Sequence, residues 1–107
     1  MKLVVITAIT EYSKDIKKIL KTSNVKAFSF KEVTGYKDIS EENIDTNWFG
    51  SEMNETDSVL FYAFVNLKDL DSLFVNIEAF NEQQETISKI HVVSLAIEKN
   101  NFLKQRL

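Results

Sequence analysis

The sequence predicts an α+β sandwich, with one four-stranded antiparallel sheet and two helices against a single face of it. Three observations carry that reading. Runs rich in β-branched and aromatic residues recur at about residues 2–8, 25–36, 58–66 and 88–99. Stretches with helical spacing of apolar residues follow the first and the third of these runs. The total length, 107 residues, is that of one domain.

The elements follow in order. "KLVVITA", Lys2 to Ala8, is a short β-branched run that reads as a strand buried on both faces. In "TEYSKDIKKILKTSN", Thr10 is placed to cap a helix, and Tyr12, Ile16, Ile19 and Leu20 recur at helical spacing with lysines opposite; Asn24 ends it. "VKAFSFKEVTGY" alternates, with Val25, Ala27 and Ser29 against Lys26, Phe28 and Phe30, which is strand spacing. A long stretch without any period, Tyr36 to Asp57, comes next, and a small domain rarely spends so many residues on a bare link. "SVLFYAFVN", Ser58 to Asn66, is the strongest strand signal in the chain. Leu70, Leu73, Phe74, Ile77 and Phe80 form one stripe of a second helix, and this stripe reads as core. "SKIHVVSLAIEK", Ser88 to Lys99, is the last strand, and the tail after it is too short to assign. There is no repeat, no low-complexity tract and no proline.

Strand, helix, strand, strand, helix, strand is the order of the ferredoxin-like βαββαβ sandwich, and right-handed crossovers leave few other ways to wind it. The two middle strands make a hairpin with the long segment at its tip. In a lone sandwich the second sheet face meets water, so its strands should alternate polar and apolar. The third strand does not: Val59, Phe61, Ala63 and Val65 point one way and Leu60, Tyr62 and Phe64 the other. The last strand sets Ile90, Val92 and Ala96 against His91, Val93, Leu95 and Ile97. A patch of that extent exceeds what soluble monomers expose. The open face is therefore expected to be covered by further copies of the chain around an axis, in a homotrimer.

Composition excludes several classes of protein. Hydrophobic residues are 44% and aromatic ones 11%, enough for a core and too many for a disordered chain. A net charge of -3 argues against a nucleic-acid partner, which would favour a concentrated basic face. With no cysteine there is neither a disulfide framework nor thiolate chemistry. "MKLVVITAIT" is too short an apolar run for a secretory signal or a membrane span, so the expectation is a soluble cytoplasmic protein without membrane insertion.

In "NVKAFSFKEVTGY" a valine is followed by an alternating strand and then by Glu-Val-x-Gly and an aromatic: Val25, Glu32, Val33, Gly35 and Tyr36. This stretch resembles the second strand of the PII family of trimeric signalling proteins, and the likeness of layout extends to about Lys99. That family inserts a long loop, the T-loop, where this chain has residues 36–57. The resemblance implies a single PII-like domain over residues 1–107. It also implies a non-enzymatic regulator that binds a small effector between subunits and controls a transporter or enzyme through the long loop. Departures are plain. Family members that bind ATP carry Thr-Gly-x-x-Gly-Asp-Gly-Lys before the last strand, where glycines let backbone N–H groups wrap the phosphates. Here the stretch is "NEQQETISKI", and only Lys89 matches. The Arg-rich segment after the last strand is reduced to Lys99, Lys104 and Arg106, and no tyrosine stands in the loop beyond Tyr36. The glutamine that helps hold 2-oxoglutarate and magnesium is absent, with Asp38 and Ser40 in that region. The cofactor is therefore left unnamed.

Candidate ligand-binding residues are Gly35, where the chain has to turn into the loop, and Lys37 and Lys89, the basic groups near a PII-like phosphate position. Candidate partner-binding residues are Trp48, Phe49 and Met53, set among Glu41, Glu42, Asp45, Glu52, Glu55 and Asp57. Packing of Trp48 and Phe49 on their own subunit is the competing reading. The acids lack the spacing of a cation loop and read as a solvated face. His91, the single histidine, reads as a buried, hydrogen-bonded strand residue, and no nucleophile–base set stands out. No metal ligand set is assigned. The alternatives are a metal-handling trimer resembling CutA, with Met53, His91 and the loop acids as ligands, and a dimeric ferredoxin-like barrel enzyme.

Overall fold

The computed structural model describes residues 1–38 and 53–102. Strand β1 is Lys2–Ile9, helix α1 Ser13–Thr22, β2 Ser29–Asp38, β3 Met53–Val65, α2 Leu67–Gln83 and β4 His91–Ala96. The sheet order is β2-β3-β1-β4 and every neighbouring pair is antiparallel. This is the ferredoxin-like sandwich that the element order predicts.

Alternation along the strands sets the layers. On β1, Val4, Ile6 and Ala8 are buried while Leu3, Val5, Thr7 and Ile9 are half-buried. The expectation of a first strand buried on both faces is thus corrected, because both helices cover the same face. Val59, Phe61, Ala63 and Val65 of β3 join the buried side, and Ile16 and Leu20 of α1 with Leu73 and Ile77 of α2 close over it. Leu73 and Ile77 of the α2 stripe pack as the spacing predicts, with Leu70 and Phe80 partly buried at its margins, whereas Phe74, expected in the core, is half-buried outside the core cluster. Lys17 sets its Nζ 4.2 Å from the centre of the Phe30 ring, which stacks on Phe61 at 5.1 Å, so a cation–π contact ties α1 to β2.

A turn of 3-10 helix, Thr10–Tyr12, precedes helix α1, and no side chain caps its start, so Thr10 is not its cap; at its end the Ser23 hydroxyl donates to the Ile19 carbonyl (2.7 Å). There Asn24 has φ 68°, the left-handed conformation that asparagine tolerates better than most residues. The Val25 N–H reaches the Leu20 carbonyl (2.8 Å) and the Asn24 N–H the Lys21 carbonyl (3.1 Å), the two bonds of a Schellman motif. Val25 is buried as the apolar residue of that motif, and strand β2 begins only at Ser29. The alternation at residues 25–28 is therefore not strand.

The hairpin reaches further than the periodicity suggests. Ten pairs join β2 to β3, from Ser29↔Tyr62 to Asp38↔Met53, whereas β1 leaves β3 at Ile9↔Ser58. The five pairs from Thr34↔Asp57 to Asp38↔Met53 thus form a two-stranded ribbon beyond the sheet. At about 3.3 Å per residue this ribbon is roughly 16 Å long. Residues 36–38 and 53–57, read as part of the aperiodic segment, are strand.

Candidate functional site

Three separate pieces of chain meet at the root of the ribbon: the end of β1, the pairs around Gly35, and the turn from α2 into β4. Between them lies a cleft of about 400 Å3, lined by Thr7, Ala8, Ile9, Val33, Gly35, Tyr36, Thr56, Ser58, Val59, Ile87, Ser88, Lys89 and His91. Two of the three residues proposed for ligand binding from the sequence, Gly35 and Lys89, therefore line one cavity. Among the described residues no carboxylate lines it.

Gly35 does not end a strand, as expected, but pairs with Thr56 well inside the ladder, and its φ lies outside the left-handed region. Its small size answers a close approach instead. A Cβ at this position would stand 2.6 Å from the Ser58 Oγ, whose hydroxyl donates to the Thr56 carbonyl at 3.3 Å.

The turn from α2 to β4 is held by its own polar groups rather than by glycines. The Asn81 side chain accepts from the Ile90 N–H (2.8 Å) and donates to the Ile90 carbonyl (2.9 Å), as a partner strand would. The Tyr12 hydroxyl donates to the Ser88 carbonyl (3.1 Å) and meets the Thr86 hydroxyl at 3.2 Å, while its ring sets edge-on against Phe80 at 5.0 Å. The Lys89 ammonium donates to the Asn81 carbonyl (2.9 Å) and the Gln84 carbonyl (3.3 Å). It thereby places a positive charge at the end of α2 where exposed carbonyls favour one. Lys89 thus has a structural role in addition to the one proposed for it.

His91 is exposed in the chain, where a buried strand histidine was expected, because β4 is an edge strand and His91 lies on the sheet face away from the helices, opposite Thr7. Lys37 pairs with Asn54 in the ribbon, and Met53 is the first residue of β3. Trp48 and Phe49 lie outside the described residues, as do Glu41, Glu42, Asp45 and Glu52. Among the described residues no three His, Cys, Asp or Glu side chains gather as a metal site would require. Sequence reasoning missed Thr7, Ser58 and Ile87 as lining residues. They come from different segments, and no local pattern marks them.

The sheet face away from the helices carries the apolar surface read from β3 and β4. Tyr62, Phe64, Val93 and Leu95 are 44%, 44%, 54% and 46% exposed, and Leu3, Val5 and Leu60 lie half-buried among them. Phe102 sets its ring against that of Phe64 at 4.8 Å. No helix among the described residues is long and apolar enough to cross a membrane.

The topology, the ribbon and the cleft at its root define a PII-like ferredoxin-like fold. B. subtilis GlnK in complex with ATP superposes with a TM-score of 0.64 at 16% identity, over 88% of this chain and 80% of that one. CPII, a nitrogen regulatory PII-like protein from Thiomonas intermedia K12, does so bound to ADP, AMP and bicarbonate (TM-score 0.57, 12% identity, 92% and 94% covered). The form of CPII bound to ADP, AMP and acetate gives a TM-score of 0.57 at 14% identity, with 90% and 88% covered. At these identities the likeness is one of fold. No protein-family model and no curated protein sequence matches the chain.

Proposed function

We propose that the chain is a non-enzymatic, cytoplasmic PII-like regulator. It acts as a homotrimer, takes a small effector in the cleft at the root of the ribbon, and reports the state of that cleft to a transporter or enzyme through residues 36–57. The observation that carries this reading is the meeting of Gly35 and Lys89 in one cavity, directly where the ribbon leaves the sheet. A ligand there touches both strands of the ribbon, through Tyr36 and Thr56, and so favours one ribbon state over another. The exposed apolar sheet face supports the trimer, since burial of this face between copies removes it from water.

Without the glycine turn, the expectation for ATP is weak binding, with a dissociation constant above about 100 μM, or at most roughly 5.5 kcal/mol of binding free energy. A thermal-shift panel of ATP, ADP, AMP, 2-oxoglutarate, bicarbonate and divalent metals tests the reading. A ligand at a hundredfold its dissociation constant adds about 2.7 kcal/mol, which such a scan resolves. Micromolar ATP affinity would return the protein to ordinary PII behaviour. A response to zinc or copper alone would favour a metal-handling trimer. A chain that is monomeric by light scattering and silent to every class of small molecule would remove the regulatory reading.

A further inference from the structure

The cleft combines features that suit one ligand chemistry. Its walls are apolar on two sides, from Ile9 and Val33 of the sheet and from Ile87 of the α2–β4 turn. Ile87 is 97% exposed, a large aliphatic side chain that packs against nothing among the described residues. Among the described residues the cleft also holds cationic capacity without a countercharge, because Lys89 lines it and no described carboxylate does. An ammonium has three donors. Two of those on Lys89 are directed at the Asn81 and Gln84 carbonyls, which leaves one hydrogen bond and the charge for a ligand. A polyphosphate needs many donors converging on several charged oxygens. A single carboxylate needs one charge and one or two donors, which Lys89 and the Thr7 hydroxyl can supply.

We propose that the cleft binds a monocarboxylate with an apolar body, its carboxylate toward Lys89 and its hydrocarbon against Ile9, Val33 and Ile87. This rests on the reading of the cleft as the effector site and narrows it to a ligand class. The mostly apolar wall makes affinity depend on chain length: each methylene moved out of water contributes about 0.8 kcal/mol, or roughly fourfold in the dissociation constant.

The test titrates the full-length protein calorimetrically with acetate, butanoate, hexanoate and octanoate below their micellar concentrations, with octan-1-ol and ATP in parallel. Expected are a fall in dissociation constant of about three- to fourfold per methylene until the cleft is filled, at least about tenfold weaker binding of octan-1-ol, and octanoate tighter than ATP. Ile87→Ser should weaken octanoate about tenfold and leave oligomeric mass and unliganded melting temperature unchanged, since Ile87 supports nothing among the described residues. A flat series overturns the proposal, and so does octan-1-ol equal to octanoate. Undiminished octanoate binding by Ile87→Ser would place the hydrocarbon away from the Ile87 wall and overturn it too. A change of oligomeric mass in Ile87→Ser would make this residue a contact between copies instead. ATP tighter than octanoate would remove the carboxylate proposal while leaving an effector cleft in place, whereas silence toward every compound, ATP included, would remove both.

Discussion

Replacement of Tyr62 by glutamate should convert the assembly to monomers. Tyr62 lies near the middle of the open sheet face, paired with Val5 on one side and Ser29 on the other, and it is 44% exposed in the single chain. A buried aromatic side chain removes about 150–250 Å2 from water, so covering the exposed part of Tyr62 removes roughly 90 Å2. At ~25 cal/mol per Å2 this is about 2 kcal/mol for each subunit and about 6 kcal/mol for three. Such a loss lowers the trimer's association constant on the order of 10^4-fold. The concentration at half-dissociation follows the square root of that constant for a trimer, which gives about a hundredfold. Placing a carboxylate in the same apolar seam costs several kcal/mol more per subunit, on the order of the effective desolvation penalty of a buried ion. Light scattering on a sizing column at micromolar concentration should therefore give the wild-type trimer mass and the Tyr62→Glu monomer mass. Far-UV circular dichroism should show that the variant keeps its fold, because the core lies on the opposite face of β3. Val75→Glu is the control: Val75 is 64% exposed on α2, so the variant should keep the trimer mass. The reasoning fails if wild type is monomeric, or if Tyr62→Glu elutes with an unchanged mass.

Three further outcomes are expected. Leu73→Ala removes a fully buried side chain from the seam between α2 and the sheet and should lower stability by about 3 kcal/mol in a denaturant titration; a loss under ~1 kcal/mol would mean that α2 is not packed as described. Tyr12→Phe keeps the ring against Phe80 but loses the bond to the Ser88 carbonyl, and should cost about 1 kcal/mol in the same measurement. Trp48→Ala with Phe49→Ala should abolish binding to the regulated partner while leaving trimer mass and melting temperature nearly unchanged; a variant that falls apart or melts many degrees lower would make these rings core residues.

Where the sequence could be read, the reason was periodicity against a single core. Leu70, Leu73, Ile77 and Phe80 repeat at helical spacing because one face of α2 meets the sheet, and the sandwich class followed from the order of the elements. Asn24 was legible as a helix end because its side chain suits the left-handed backbone that ends α1. The errors have equally local causes. Val25 is apolar to complete the end of α1, not to alternate in a strand. Glu55, Thr56 and Asp57 are exposed strand residues, so their pairing is set by the facing strand and leaves no hydrophobic pattern. His91 sits among apolar neighbours and so reads as buried, yet nothing among the described residues covers its side of an edge strand. Gly35 and Lys89 were reached through the PII resemblance, whereas Ile87, Thr7 and Ser58 enter the cleft only when three distant segments fold together.

The ribbon gives the root of the hairpin mechanical advantage. Its five outer pairs are continuous with the sheet, and β1 flanks β3 only up to Ser58. Any change of pitch at Gly35 and Thr56 is therefore carried outward along the arm. A rotation of about 10° at the root would displace the end of a 16 Å arm by roughly 3 Å, more than the length of a carbon–carbon bond. Tyr36 and Thr56 both line the cleft and belong to opposite strands of this arm. A molecule no larger than the cleft would in this way turn a small local adjustment into a displacement that a docked surface can register.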